Sequence, residues 1–421
     1  MKPSKRIYYF PVSQKNHPPS PAYSIPGKPP AEALFLKPET GRELDKGLLT
    51  LAVVTMGTTA ALDNLRAPLL PILTQRAGLN YGGSAGFIAA VSLGALCVMI
   101  FSTRLLVIWP QRRYLLCAAL LQSAAAWVAA SAGSAGALMT AGLLWGAGNA
   151  GLGLSANLFA IAAAPESKRG KTISFLHVFY GLFATLPALY LPWAVTRWNF
   201  KAALLLPFLL LFLPAIWAYS RPKEVRAKDD TAAHEERFGL DAWLLIAGLS
   251  LYVMAEVLVS IWSVSYLVSR GAPLSQAGGA LAGFFICLAA GRLCVALWLA
   301  PAWERRLPIA AMGAGAFAAI LITWGLPSAL ALFGFLIAPA FPLTAAVLVR
   351  DYPGRYKSLM PLMYSVMMTV LALGNQAFGW VSDAFGIAAA FHAPAVLLAL
   401  AFALFLLREH RRKKIATGKL S

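Results

Sequence analysis

Runs of about 20 predominantly apolar residues recur along the whole chain, the length a helix needs to cross a hydrocarbon layer of roughly 30 Å. They fall near 48–75, 83–104, 114–132, 136–164, 172–195, 200–219, 240–268, 276–300, 307–325, 328–350, 358–382 and 385–407. Strands of a membrane barrel would be about ten residues long and alternating, so these runs predict an all-α integral membrane protein of about twelve transmembrane helices. Of the 421 residues, 59% are hydrophobic and 13% charged, whereas a soluble domain is about 25% charged. Too few charges remain to cover a surface in water. That excludes a secreted disulfide scaffold, a DNA-binding domain and a soluble enzyme. The net charge of +19 does not signal nucleic acid either, because the basic residues lie in loops between apolar runs, where they set membrane orientation.

The orientation test is sharp. With the N-terminus in the cytoplasm, thirty of the 36 Lys and Arg fall inside and four (Arg76, Arg197, Lys201, Arg270) outside; Arg66 and Arg292 lie within or at the ends of spans. A wrong span count would scramble that alternation, so both termini are expected in the cytoplasm of a multi-pass protein of the bacterial inner membrane. Residues 1–46 are polar and Pro-rich and predict a disordered tail. The hydrophilic stretch 221–239 divides a six-helix bundle at 47–220 from a second at 240–407, and 408–421 form a basic tail. Cys97, Cys117, Cys287 and Cys294 lie in apolar runs without metal-ligand spacing and read as buried small apolar residues.

The two bundles are related. Gln75–Leu79 resembles Ser269–Leu274, Gly94–Cys97 resembles Gly291–Cys294, and Pro165–Lys171 resembles Asp351–Lys357, at a shared offset of roughly 186–197 residues. The offset pairs Asp63 in the first span with Glu256 in the seventh. These two are the acids that fall well inside spans; Asp383 sits at the outer end of the eleventh. A charge at mid-bilayer costs about 2.5–3.5 kcal/mol on the insertion scale, so each should face a cavity or a partner. Helical phase agrees. Thr55, Thr59, Asp63 and Arg66 share an arc of about 80°, and Tyr252, Glu256, Ser260, Ser263 and Tyr266 one of about 120°. The pattern predicts a water-filled central cavity with a protonatable group on each side. A structural ion pair between Asp63 and Arg66 at i+3 and a hydrogen-bonded buried Glu256 are the competing readings, and both stay open.

Asp63 and Glu256 are thus the candidate ion-coupling residues. Candidate solute-binding residues are Arg66, Asn64, Asn157, Tyr252, Trp262, Ser263, Tyr266, Asn375 and Gln376; His177 and Arg292 are candidates for a proton or gating role. Pro339 and Pro342 should bend the tenth span.

Twelve spans in two halves with a charged central loop resemble the major facilitator superfamily over 47–407. Leu62-Asp63-Asn64-Leu65-Arg66-Ala67-Pro68 is similar to the first span of fucose–proton symporters and related sugar carriers. Ser155-Ala156-Asn157, Tyr252-x-x-x-Glu256 with Trp262 and Tyr266, Gly291-Arg292 and Ala338–Pro342 resemble the same branch. The chain departs from that branch at Gly153, where those carriers have a second acid, and its loop Trp109–Arg113 lacks the superfamily's usual acid. The resemblance implies alternating access and proton-coupled symport of a small polar solute such as a sugar, with no cofactor beyond the coupling ion. A proton-coupled exporter of amphipathic compounds and a non-transporting membrane sensor remain the alternatives. The expected partners are the solute and the lipid bilayer. No enzyme constellation, metal set or phosphate loop is present in the sequence, so neither ATP nor nucleic acid is expected, and nothing requires more than a monomer.

Overall fold

A computed structural model describes residues 7–8, 43–165, 169–220, 224–225, 238–298, 303–352 and 356–416. Most of the expected disordered tail, most of the central loop and the end of the basic tail lie outside the described residues. Ile7–Tyr8 pairs in parallel with Glu224–Val225; the rest is helical. In order come α1 (Lys46–Asp63), α2 (Arg66–Arg76), α3 (Tyr81–Ile108), α4 (Gln111–Ser131), α5 (Ala135–Ala163), α6 (Arg169–Arg197), α7 (Phe200–Leu205) and, after a 3₁₀ stretch at Leu206–Leu211, α8 (Phe212–Ser220). Then follow α9 (Leu240–Ser269), α10 (Leu274–Trp298), α11 (Arg306–Thr323), α12 (Ala329–Ile337), α13 (Ala340–Asp351), α14 (Tyr356–Phe385), α15 (Ile387–Ala390) and α16 (Ala393–Ala416).

Taken with their continuations, α1–α2, α7–α8, α12–α13 and α15–α16 each make one crossing, which gives the expected twelve. Ten crossings are long and apolar enough to span a membrane. The other two, α5 and α14, are 29 and 30 residues long but diluted by Gly, Asn, Ser and Gln. Small residues let helices approach closely where lipid supplies no hydrophobic drive. A Cβ on Gly94, Gly142 or Gly146 would run into backbone of the helix opposite, which fixes α5 against α3. Large apolar side chains such as Ile100, Phe101, Ile216, Phe317 and Leu400 point outward, as a lipid-facing surface requires. The cysteines follow the same logic and correct the sequence reading. Cys97 is exposed and the other three are partly so, because in lipid an apolar side chain need not be interior.

The two halves repeat each other in detail. Gly78 (φ +60°) and Gly271 (φ +89°) occupy the left-handed region that favours glycine. Each ends its helix with the same pair of bonds: Gly78 N to Gln75 O and Leu79 N to Thr74 O, then Gly271 N to Val268 O and Ala272 N to Leu267 O. Their separation in sequence equals that of Asp63 and Glu256.

Besides the sixth span with its 3₁₀ stretch, the first and tenth spans are interrupted at mid-depth. The first was expected as one helix over 48–75, but α1 stops at Asp63 and α2 starts at Arg66. Pro68 and Pro71 lack the N–H that would bond the carbonyls of Asn64 and Ala67 four residues back. Arg66 Nε instead bonds the Asp63 carbonyl at 2.9 Å, and Asn64 Nδ2 the Ala60 carbonyl at 2.8 Å. The tenth span breaks at Ala338-Pro339, where the two prolines predict a bend.

We refer to the face bearing the start of α1 and the end of α16 as the terminal face, and to the opposite face as the far face. The halves meet toward the far face, where α3 packs on α14, α6 on α10, and α2 on α9. Asp383 at the end of α14 accepts hydrogen bonds from the backbone N–H of Tyr81 and of Gly82, each at 2.8 Å, capping α3 from the other half. Gln376 donates to the Gly82 carbonyl at 3.1 Å. A Cβ on Gly379 would meet the Tyr81 carbonyl at 2.8 Å and also strike Ala85. Among the described residues, no hydrogen bond joins the halves nearer the terminal face. There the second half is tied to itself: Asp351 accepts from Arg305, Arg408 and Arg412, and Arg408 also reaches Asp241 at 3.0 Å.

Candidate coupling and solute site

The break in the first span puts opposite charges on its two sides. Asp63, the last residue of α1, and Arg66, the first of α2, form an ion pair with Oδ2 and Nη2 2.5 Å apart. Asp63 Oδ1 is buried without a hydrogen-bond partner among the described residues. The neighbouring Asn64 donates at 3.3 Å to the hydroxyl of Tyr180 on α6. That hydroxyl also lies within the electrostatic reach of Asp63, Arg66 and Arg292. Sequence spacing anticipated the Asp63–Arg66 pair but not Tyr180, which nothing in the polar pattern of α6 marks out.

The second half repeats the arrangement by other means. Glu256 on α9 has no basic residue in its own stripe; its partner comes from α10, where Arg292 Nη2 lies 3.5 Å from Glu256 Oε1. Tyr252, one turn before Glu256, sits between the Glu256 carboxylate and the Ile337 carbonyl, the latter at 3.3 Å. That carbonyl is the last of α12, at the proline break in the tenth span. Each half therefore sets a carboxylate and a guanidinium beside an interrupted helix. Discontinuous helices offer backbone groups for binding inside the membrane, where intact ones do not. His177, a turn before Tyr180, lies within electrostatic reach of Arg292. Asp63, Asn64, Arg66, His177, Tyr180, Tyr252, Glu256 and Arg292 thus gather where α1, α2, α6, α9 and α10 face one another.

The remaining residues singled out in the sequence lie elsewhere. Trp262 is fully buried, donates to Asn375 Oδ1 at 3.0 Å, and packs near Phe378 and Tyr81 beneath the far-face contact. Tyr266 stacks on Phe391 with centroids 4.3 Å apart, inside the second half. Ser263 is buried without a hydrogen-bond partner among the described residues. Gln376 is spent on the far-face contact. Asn157 bonds the Gly153 carbonyl of its own helix at 2.9 Å. Gly153 has open space where a side chain would project, so its lack of an acid leaves room there. Thr55 and Thr59 are buried and return their hydroxyls to the carbonyls of Leu51 and Thr55. Asp383, at the outer end of the eleventh span, has no role assigned by the sequence; its part in closing the far face comes from its contacts.

The fold and this site define a multi-pass membrane transporter built from two related six-helix halves. The sequence profile of the Major Facilitator Superfamily matches residues 48–375, and the chain belongs to that family. No curated protein matches the sequence significantly. Among solved structures, the human organic anion transporter MFSD10 (TETRAN) is similar with a TM-score of 0.64 at 18% identity, over 86% of this chain and 100% of that one. The Major Facilitator Superfamily transporter FucP, in an outward conformation, has a TM-score of 0.59 at 18% identity, over 86% of this chain and 98% of that one. At this identity the likenesses concern the fold.

Proposed function

We propose that the protein is a proton-coupled symporter that carries a small polar solute by alternating access, with both termini in the cytoplasm. The observation that carries this reading is the pair of membrane-buried carboxylates, one in each half, each held by a guanidinium beside a broken helix. A carboxylate that exchanges a cation partner for a proton is the simplest device for linking proton entry to a change of contacts. The excess of Lys and Arg on the terminal face supports a cytoplasmic assignment for it. With that assignment, far-face closure corresponds to the inward-facing state.

Asp63 is the principal proton site, and Glu256 the second. The test is uptake in cells or proteoliposomes with an imposed proton gradient. Asp63→Asn is expected to abolish accumulation against a gradient while leaving solute exchange across the membrane. Retained uphill accumulation in that variant would refute the assignment.

A further inference from the structure

We propose that the solute carries a carboxylate, which seats between the guanidinium groups of Arg66 and Arg292 and the hydroxyl of Tyr180 once a proton has released one arginine from its acid. The inference rests on the symport reading above and narrows its substrate class.

Three observations carry it. First, the centre is charge-balanced. Asp63 and Glu256 offset Arg66 and Arg292; Tyr180 and Tyr252 are neutral in their ordinary forms, and an ordinary histidine such as His177 is neutral above about pH 6.5. A neutral solute that entered with a proton would leave an uncompensated positive charge inside the membrane, which is costly. A monocarboxylate that enters with one proton leaves the balance unchanged. The proton comes from water and forms an O–H bond on Asp63 or Glu256; the arginine so released takes the solute's carboxylate in its place.

Second, donor capacity is left over. Arg292 makes one loose contact to Glu256 and also reaches the Tyr252 hydroxyl, but its Nε is buried without a partner among the described residues. Tyr180 accepts from Asn64, and its own O–H proton has no acceptor among the described residues. Guanidinium groups suit carboxylates because two N–H donors meet two oxygens. Third, the groups left behind stay placed when a pair opens. Tyr252 remains on Glu256, and Arg66 stays held by the Asp63 backbone carbonyl when the carboxylate lets it go.

The experiment uses the purified full-length protein in nanodiscs and in proteoliposomes. The probes are matched neutral and acidic solutes: glucose with glucuronate, galactose with galacturonate, and glycerol with glycerate and lactate. Solute-induced thermal shifts at pH 5.5 and 7.5 report binding; an internal pH dye and an imposed membrane potential report coupling. The expected result is a shift with one or more carboxylates and none with its neutral mate, larger at pH 5.5. Arg292→Gln and Tyr180→Phe, compared with wild type for their unliganded melting, should each weaken it, the arginine change by about tenfold or more. Uptake should be insensitive to membrane potential. Binding of neutral members alone, equal binding of both members of a pair, or binding of no probe would overturn the proposal. Proton-coupled uptake of a neutral sugar would overturn the carboxylate while leaving symport intact. Carboxylate uptake that moves no proton and survives Asp63→Asn would leave the anion site intact and overturn the symport reading.

Discussion

Removing the Asp383 carboxylate should loosen the far face. Its two oxygens each accept one backbone N–H of α3, from Tyr81 and Gly82, at 2.8 Å. These are bonds of a carboxylate to the open end of a helix, worth about 1.5–3 kcal/mol when charge-assisted, and loss of a capping side chain costs about 0.5–2 kcal/mol. Asp383 is exposed, so water competes, and about 1–2 kcal/mol is the reasonable net figure. That energy is absent when the halves part at this face. Asp383→Ala should therefore raise the ratio of far-face-open to far-face-closed molecules by about 5–30-fold. Asp383→Asn, which keeps one oxygen acceptor but loses the charge, should do so by less. The assay is pulsed electron–electron distance measurement between spin labels at Gly133→Cys and Leu326→Cys, in a background with the four native cysteines replaced by Ser. Gly133 and Leu326 are exposed far-face residues of opposite halves. A longer-distance population should grow in the order wild type, Asp383→Asn, Asp383→Ala. An unchanged distribution in both variants would refute the idea that this cap holds the face shut.

Gly379→Leu should move the same equilibrium without changing any charge, since even a Cβ there meets the Tyr81 carbonyl at 2.8 Å; the same label pair reads it, and no lengthening would mean that α3 and α14 are not held by close approach. Arg408→Leu strands Asp351, whose side chain is 2% exposed, with fewer cations. Breaking a buried pair costs about 3–5 kcal/mol, so the unliganded melting temperature should fall clearly, whereas Asp383→Ala should leave it nearly unchanged. The Tyr352 hydroxyl is pushed up to about 12, first by burial and then by its hydrogen bond to Asp241. Its folded pKa lies above the unfolded value, so its contribution is complete below about pH 10 and is lost as pH rises toward 12. Tyr352→Phe should accordingly flatten the alkaline loss of stability in that window; equal slopes would sink the argument.

The sequence disclosed features that one helix can carry alone. The two interior acids, their equivalent positions, the i+3 partner of Asp63 and the prolines of the tenth span are all local patterns, and the loop charges follow the crossings. What it could not disclose are contacts between helices. Arg292 stands 36 residues from Glu256, and Asp383 about 300 from the helix it caps. No periodicity within one span points across such distances. Trp262 and Tyr266 illustrate the opposite failure. They share a broad polar arc with Glu256, yet higher up the same helix that arc faces Asn375 and Phe391, because α9 packs there against α14 and α15 of its own half. Phase around a helix tells which side a residue is on, but not whether that side meets water or protein at that depth. The interruption at Asn64 was also hidden, since proline in a membrane helix is compatible with a bend as well as a break.

That interruption has a mechanical side. The upper piece of the first span, α2, rests chiefly on α9 of the opposite half, whereas the lower piece, α1, rests on α5 and α6 of its own. The two pieces are thus bolted to different bodies, and two residues of chain join them. A separation of those bodies at the far face would be concentrated on this short link, whose ends are the anion Asp63 and the cation Arg66. The joint behaves like the gap of a switch: when the bodies tilt, the contact opens, and displacement becomes an electrical event at a single carboxylate.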